Sequence, residues 1–437
     1  MNIVLRQGMI LLSAVAFLQC GGGRQVSQDE PVGGSSQDRI IKLEKQSAKK
    51  TNDITLKKQL YREYLGIGMT AKALMTMEDI LIIDPNQTDV QFEYGEVQYQ
   101  NGNYRKAYDA FLNVMQSTQG EAYRSRVAAY VSGGFTVQRV TSSSAAEGFP
   151  SFSPDGRKLL FQKKSGTNWD IVEYDLSTQS EATIIATPAD EESPVYSPNG
   201  ELITYTSTNE DARPVDPNYK VREILQIDKT DNFVRKLTQS VADDWLPRYS
   251  HSGEYLLFVS ERNDLRKVSY VAKQSDLFVM ESDGDFQVQL TNTPANEGGA
   301  CFSADDKRIF FHSDQNGTFD IFSMKRDGSQ IMTLIDDDAG NDVNPCTSPD
   351  GNWIAFVSDR DGNYEIYRAR TNGSGEERLT FHPGVDSNPA FSPDGSMIAF
   401  HSNRNGNYDI YVINLSAPTA VLNSAELVSR LRELSQN

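Results

Sequence analysis

From Ile40 to Ala129 apolar residues recur at helical spacing, with few β-branched runs. After Phe135 the pattern changes to short alternating runs closed by turn residues. The helical part repeats itself at a 34-residue offset: Ala73 falls on Ala107, Met77 on Phe111, Ile80 on Val114, and Leu60-Tyr61 on Tyr94-Gly95. Pro85 closes the first unit where its second helix should stop. The spacing predicts a helical domain over 39–133, ending in a capping helix near Glu121–Val131.

The second part repeats a ten-residue signature six times. It reads EGFPSFSPDG from Glu147, EESPVYSPNG from Glu191, DWLPRYSHSG from Asp244, EGGACFSADD from Glu297, DVNPCTSPDG from Asp342 and DSNPAFSPDG from Asp386. The serines of these copies (Ser153, Ser197, Ser250, Ser303, Ser348, Ser392) are spaced 44 to 53 residues apart. Each copy continues with an apolar strand such as WIAFVS, a polar turn, and a second strand such as YEIYRA; four copies then close visibly on a further strand near Leu-Thr. Four strands per repeat is the mark of a propeller blade. The last copy stops after IYVINL, and Thr141 in FTVQRVT has the spacing of a blade's closing strand although no blade precedes it. Residues 135–141 are therefore expected to supply the outer strand of the sixth blade, which removes the open sheet edges. The fold class expected is an all-β six-bladed propeller over 134–416 with an N-terminal all-α domain.

The small-residue, aromatic and proline spacing of the helical part resembles tetratricopeptide repeats over about 68 residues. Two such repeats bury their apolar faces only by leaning on something else. The blade signature resembles that of the TolB family, the periplasmic component of the Tol–Pal system, over about 280 residues. The resemblance implies six blades and a role in binding envelope proteins, a peptidoglycan-associated lipoprotein first. The TolB family's own N-terminal α/β domain is not evident, and the helical repeat stands in its place.

The first twenty residues, MNIVLRQGMILLSAVAFLQC, place Arg6 before an apolar run from Met9 to Leu18. Ten helical residues rise about 15 Å, half of a hydrocarbon core, so the run reads as a secretory signal rather than a span. Cys20 stands where a bacterial lipoprotein signal carries its lipidated residue; Phe17-Leu18-Gln19-Cys20 matches that pattern with a bulkier residue at 19. A Gly-, Ser- and Gln-rich tether over 21–38 follows. The expectation is a membrane-anchored protein of the cell envelope, on the outer membrane and facing the periplasm or cell surface. A short amphipathic helix is expected over 417–437.

The net charge of −18 disfavours a nucleic-acid partner, which needs a basic footprint, and favours cations or basic patches. Six acids stand six residues before the signature serines: Glu147, Glu191, Asp244, Glu297, Asp342 and Asp386. Propeller symmetry places them around one mouth of the channel, in the loops that lead into the innermost strands. Such a ring would hold a divalent cation or receive a basic segment of a partner. The alternative is that each carboxylate latches its own turn through backbone N–H groups or through Arg262, Arg360 or Arg404. No other cofactor is expected.

Insertions within 207–222 and 260–275 lengthen the second and third copies, between the second and third strands and so on the face of the acid ring. They carry Arg213, Tyr219, Lys220 and Arg222, and Arg262, Arg266, Lys267, Tyr270 and Lys273, a composition suited to partner-binding loops. Asp359–Glu365 imitates the start of a calcium loop, but Arg370 occupies the position of the required bidentate Glu. Cys301 and Cys346 fill equivalent positions, as do His312 and His401, and neither pair suggests a disulfide or a metal site.

The sequence has no GxSxG elbow, HExxH, Walker loop or paired CxxC, and no catalytic residue is expected. The expected function is a non-enzymatic interaction scaffold acting through the propeller. The alternatives are an accessory scaffold of an envelope or secretion complex using the helical repeats, and a glycan-binding or glycan-cleaving propeller.

Overall fold

The computed structural model describes residues 36–436, apart from 102, 129, 132–133, 216–218, 267–272, 337–339 and 419–421. The expected signal, most of the tether, and Cys20, Lys267 and Tyr270 lie outside the described residues. No helix among the described residues is long and apolar enough to cross a membrane. The chain divides into two compact units, one built from the residues up to Val131 with those from Leu422 on, the other from Gly134 to Pro418.

The helical unit contains α1 (Ser36–Ser47), α2 (Ile54–Gly66), α3 (Thr70–Ile83), α4 (Thr88–Gln100), α5 (Tyr104–Gln116), α6 (Gly120–Ala128) and α7 (Ser424–Gln436). Helix α2 starts where the Asp53 side chain accepts the Leu56 N–H at 3.1 Å, satisfying one of the free donors of the first turn. The residues that repeat at the 34-residue offset form the core: Ala73, Met77, Ile80, Ala107, Phe111 and Val114 are all fully buried. Gly95 shows why the second copy departs from the first. A Cβ there would come within 2.5 Å of the Phe111 ring, so only glycine lets α4 and α5 approach. The C-terminal helix α7 is part of this unit. Leu427, Leu431 and Leu434, at the 3- and 4-residue spacing of one helix face, join the core of Phe92, Tyr108, Phe111 and Val127. Fully burying each leucine stabilises by about 1.5–3 kcal/mol. The neighbour that two repeats need is thus supplied in part by the far end of the chain.

The second unit is a propeller of six four-stranded antiparallel sheets. Blade one is β2 (Glu147–Phe152), β3 (Lys158–Ser165), β4 (Asn168–Asp175) and β5 (Ser180–Ile185). Blade two is β6 (Glu191–Tyr196), β7 (Leu202–Ser207), β8 (Glu223–Asp228) and β9 (Val234–Lys236), and blade three is β10 (Asp244–Tyr249), β11 (Tyr255–Ser260), β12 (Asp276–Glu281) and β13 (Val288–Gln289). Blade four is β14 (Glu297–Phe302), β15 (Arg308–Ser313), β16 (Asp320–Lys325) and β17 (Met332–Ile335), and blade five is β18 (Asp342–Thr347), β19 (Trp353–Ser358), β20 (Glu365–Arg370) and β21 (Glu377–Arg378). Blade six is β22 (Asp386–Phe391), β23 (Met397–Ser402) and β24 (Asp409–Pro418), completed by β1 (Phe135–Arg139). Arg139 of β1 pairs with Tyr411 of β24, so the first strand of the domain closes the last blade, as expected from Thr141 lying twelve residues before Ser153. The six first strands touch one another in sequence around a closed ring and line the central channel.

The signature is a hairpin clamp. In the first blade Ser153 Oγ donates to Asp155 Oδ1 at 2.6 Å and accepts the Lys158 N–H at 3.0 Å, fastening the first strand to the second. The same bonds recur at Ser348 with Asp350 and Trp353, and at Ser392 with Asp394 and Met397. Gly156 follows in the left-handed region at φ 69°, a conformation open to glycine without strain.

Candidate functional site

Strand register brings three residues of each blade to one end of the propeller. In blade three Asp244 lies opposite Ser260, and Ser260 opposite Asp276. In blade five the set is Asp342, Ser358 and Glu365, and in blade six Asp386, Ser402 and Asp409. The six signature acids therefore do surround one end, as expected. They are not in loops, however. Each is the first residue of an innermost strand, and all six are buried, with at most 1% of their surface exposed.

Their partners are local. Asp244 lies 2.6 Å from Arg262 Nη2, Asp342 2.8 Å from Arg360 Nη2, and Asp386 2.5 Å from Arg404 Nη2. Each of these arginines also lies over a stacked aromatic pair of its own blade: Phe258 and Phe278, Phe356 and Tyr367, or Phe400 and Tyr411. Glu147 has Lys163 Nζ at 3.2 Å. Glu191 and Glu297 have hydroxyl partners, and among the described residues no ion pair: Thr187 at 2.7 Å and Ser207 at 3.1 Å for the first, Thr293 at 2.5 Å and Ser313 at 3.2 Å for the second. Burial pushes the Glu191 carboxyl up to about 7, against the pull of those hydroxyls. Burial raises Glu297 likewise, opposed first by Thr293. No three acidic, histidine or cysteine side chains among the described residues are grouped closely enough to share one metal ion.

The two insertions leave β7 and β11 at this same end. Their charged residues do not all face outward. Arg222 is 2% exposed and lies 2.8 Å from Glu192 and 3.5 Å from Asp243, so its charge is spent inside the blade. Arg262 is the latch on Asp244 just described and also donates to Gln287 at 2.6 Å. Arg213 is forked onto Asp211 and donates to the Tyr219 carbonyl at 3.0 Å, holding the first insertion closed. Asp211 in turn accepts the Val221 N–H at 2.7 Å. The second insertion repeats the arrangement: Arg266 is forked onto Asp264, which accepts the Gln274 N–H at 2.8 Å, while Lys273 donates to the Arg266 carbonyl. Lys220 is exposed.

This end of the propeller also exposes apolar side chains. Tyr219 is 60% exposed, Leu265 88%, and Val241, in the turn after β9, 91%. Val241 borders an open cleft of about 260 Å³ with Glu210, Arg213, Val221, Lys236 and Gln239. Leu265 and Val241 carry neither the charge nor the aromatic ring that marked the insertions in the sequence. Their signal was present, since an aliphatic residue between polar turn residues has no blade position to fill.

The remaining polar residues inside the propeller hold blades together. His312 Nδ1 accepts the N–H of Asn344 in the next blade, and His401 Nδ1 that of Phe149, both at 3.2 Å. In the same way Gln162 accepts the Ser193 N–H at 2.8 Å. Burial lowers His312 to about 3 and His401 to about 4, which keeps both rings neutral and able to accept. Cys301 and Cys346 are free thiols, and burial pushes the Cys346 thiol up to about 12.

Residues 335–426 match the family model of the TolB beta propeller domain. No protein of curated function matches the chain in sequence. Among solved structures, a TolB-type protein from Agrobacterium tumefaciens is 20% identical, with 65% of this chain and 97% of that chain aligned at a TM-score of 0.51. TolB from Acinetobacter baumannii is 16% identical over 72% of this chain and 71% of its own, with a TM-score of 0.43. An oligogalacturonate lyase from Vibrio parahaemolyticus is 13% identical over 64% and 93%, with a TM-score of 0.45. At such identities a shared structure speaks for fold alone. With the six blades, the family match and the repeated signature together, the chain carries a TolB-like six-bladed β-propeller preceded by a helical region.

Proposed function

We propose that this protein is a non-enzymatic scaffold of the cell envelope, tethered through a lipid on Cys20, and that it binds a partner protein at the insertion-bearing end of the propeller. The observation that carries this reading is the apolar surface raised on that end by Tyr219, Val241 and Leu265, beside an open cleft with charged walls. Exposed apolar groups rimmed by fixed charges suit a protein surface better than a small polar substrate. The forks Arg213–Asp211 and Arg266–Asp264 support it, since they fix the described turns beside Tyr219 and Leu265 and lower the ordering cost of binding there. A peptidoglycan-associated lipoprotein is the partner class that the TolB-like propeller favours.

The test is in-cell cross-linking with mass spectrometry, comparing the natural chain with a Tyr219→Ser, Val241→Ser, Leu265→Ser variant. All three side chains are exposed, so the variant should fold. A peptidoglycan-associated lipoprotein captured by the natural chain and lost from the variant supports the reading. Unchanged capture removes this face as the binding surface. A second reading, an assembly scaffold acting through the helical unit, is favoured by Met75 and Ile82, exposed at 67% and 80% one heptad apart on α3. Loss of partners from Met75→Ser, Ile82→Ser with the propeller variant unaffected would select it.

A further inference from the structure

The fifth position of the signature lies on the innermost strand of each blade, and five of the six residues there are small or medium: Ser151, Val195, Cys301, Cys346 and Ala390. The sixth is Arg248. It is part-buried beside Cys301 and Cys346 of the following two blades, and its one hydrogen bond among the described residues is from Nη1 to the carbonyl of its own neighbour Pro247, at 3.0 Å. No carboxylate among the described residues pairs with it, in a propeller where Arg222, Arg262, Arg360, Arg378 and Arg404 each have one. A guanidinium sheltered from bulk water and without a counter-charge leaves most of its five donors free for a ligand.

The surroundings are shaped for a small acceptor. Arg248 lines a cavity between four innermost strands together with Gly299, Asn344, Cys346 and Asn388. The room for water-sized groups is about 20 Å³, enough for one water or one small polar group. Asn388 accepts from the Ser387 hydroxyl at 3.0 Å through Oδ1, which leaves its amide hydrogens to donate. Gly299 keeps the cavity open: a Cβ there would lie 2.6 Å from the Asn344 side chain and 2.7 Å from His312. Gly299, Asn344 and Asn388 all have positive φ, at 52°, 53° and 54°. The same φ recurs at the equivalent Phe149, Ser193 and Leu246, so this bulge belongs to every blade and only the side chains on it differ.

We propose that Arg248, with the side-chain amide of Asn388, forms an anion site in the propeller channel that takes a single carboxylate group. One planar guanidinium matches a carboxylate in two parallel hydrogen bonds, and the space holds little more than that group. A chain of net charge −18 repels dianions such as phosphate more strongly than a monoanion. The carboxylate comes either from a free small acid or from the C-terminus of a peptide threaded into the channel. This site does not depend on the scaffold reading, because the channel wall and the outer loops are separate surfaces.

The experiment is calorimetric titration of the full chain in low-chloride buffer with sodium acetate, with a tetrapeptide ending in a free carboxylate, and with its C-terminal amide. The natural chain should bind acetate or the free-acid peptide and should not bind the amide. A peptide bound at least tenfold more tightly than acetate identifies a chain terminus as the source, and the reverse order identifies a free acid. Arg248→Ser places at 248 the residue that blade one has at 151, so the ring accommodates it, and it should weaken acetate or peptide binding at least tenfold. In acetate-free buffer this variant should melt no lower than the natural chain, because it removes an unpaired charge. Gly299→Ala is a second variant that fills the cavity with Arg248 intact and should also abolish binding. Equal binding by the natural chain and both variants, equal binding of acid and amide peptides, no binding of any probe, or competition by chloride at the same concentration as acetate overturns the proposal.

Discussion

The two units of this chain close themselves in opposite ways. The propeller is closed by a strand that precedes it, since β1 completes the blade begun at Asp386. The helical unit is completed by a segment that follows everything else, since α7 returns Leu427, Leu431 and Leu434 to the core of Phe92, Phe111 and Val127. The bonds differ too. Propeller closure uses backbone ladder hydrogen bonds, which any residue but proline can make, together with the pair Arg139–Asp409 at 2.7 Å. Helical closure uses side-chain packing against an aromatic cluster in which Phe92, Phe111, Tyr99 and Tyr130 have ring centroids 4.8–6.3 Å apart. A ladder tolerates sequence change as long as the register is kept, whereas a packed helix face depends on which side chains it carries.

The largest effect expected follows from that contrast. Ending the chain after Asn423 removes three buried leucines, a loss of about 5 kcal/mol or more. Hydrogen exchange should then show amide protection collapsing through α1 to α6 while the propeller strands keep theirs. Undiminished protection in α4 and α5 would mean that the helical unit stands without α7, and the comparison would fail.

A second test separates blades that carry a cationic latch from those that do not. Arg360→Met leaves Asp342 buried without its cation and should cost about 3 kcal/mol at pH 8, read as a lower urea midpoint. Arg360 also pairs with Glu376, so Glu376→Gln serves as the control for that exposed contact and should change stability by less than about 1 kcal/mol.

The smallest effect is expected at Glu191, where no arginine or lysine forms an ion pair among the described residues. Its folded-state value of about 7 lies above the ordinary 4.5, so its contribution is fully present below pH 4.5 and is lost as pH rises through 7. Glu191→Gln should therefore stabilise the chain by about 2 kcal/mol at pH 8 and give almost no advantage at pH 4.5. His312 and His401 act in the other direction. Their folded values near 3 and 4 lie below the ordinary 6.5, so stability present above pH 6.5 is lost as pH falls through those values. A Glu191→Gln advantage that did not grow with pH would show that the carboxylate has a cation in solution.

Much of the fold was legible because the clamp of each blade is local. Ser153, Asp155 and Gly156 lie within four residues and fix one hairpin, so their recurrence announced six blades, and the spacing of Thr141 announced the closing strand. The helical repeat was legible for a similar reason, in the small-to-aromatic pairing of Ala107 and Phe111 with Ala73 and Met77. The acids could be placed at one end from their spacing alone, because register follows from a period of two. Their burial could not, since whether a carboxylate at a strand start meets water, an arginine or a hydroxyl depends on a neighbouring strand. Arg222 shows the same limit: it sits in an insertion rich in charge, yet its partners Glu192 and Asp243 come from the first strand of its blade and the turn before the next.

The sequence by itself determined the number of blades, the two-part organisation and the end of the propeller that carries the acids and insertions. Those properties rest on short-range hydrogen bonds and on periodicity, which a linear pattern records. The tertiary structure alone decided that α7 belongs to the helical core, that the acids are latched and buried, and that no carboxylate among the described residues pairs with Arg248. Each of these depends on groups far apart in the chain meeting out of water, where an ion pair, a packed leucine face or an unpaired guanidinium acquires its energy from what surrounds it.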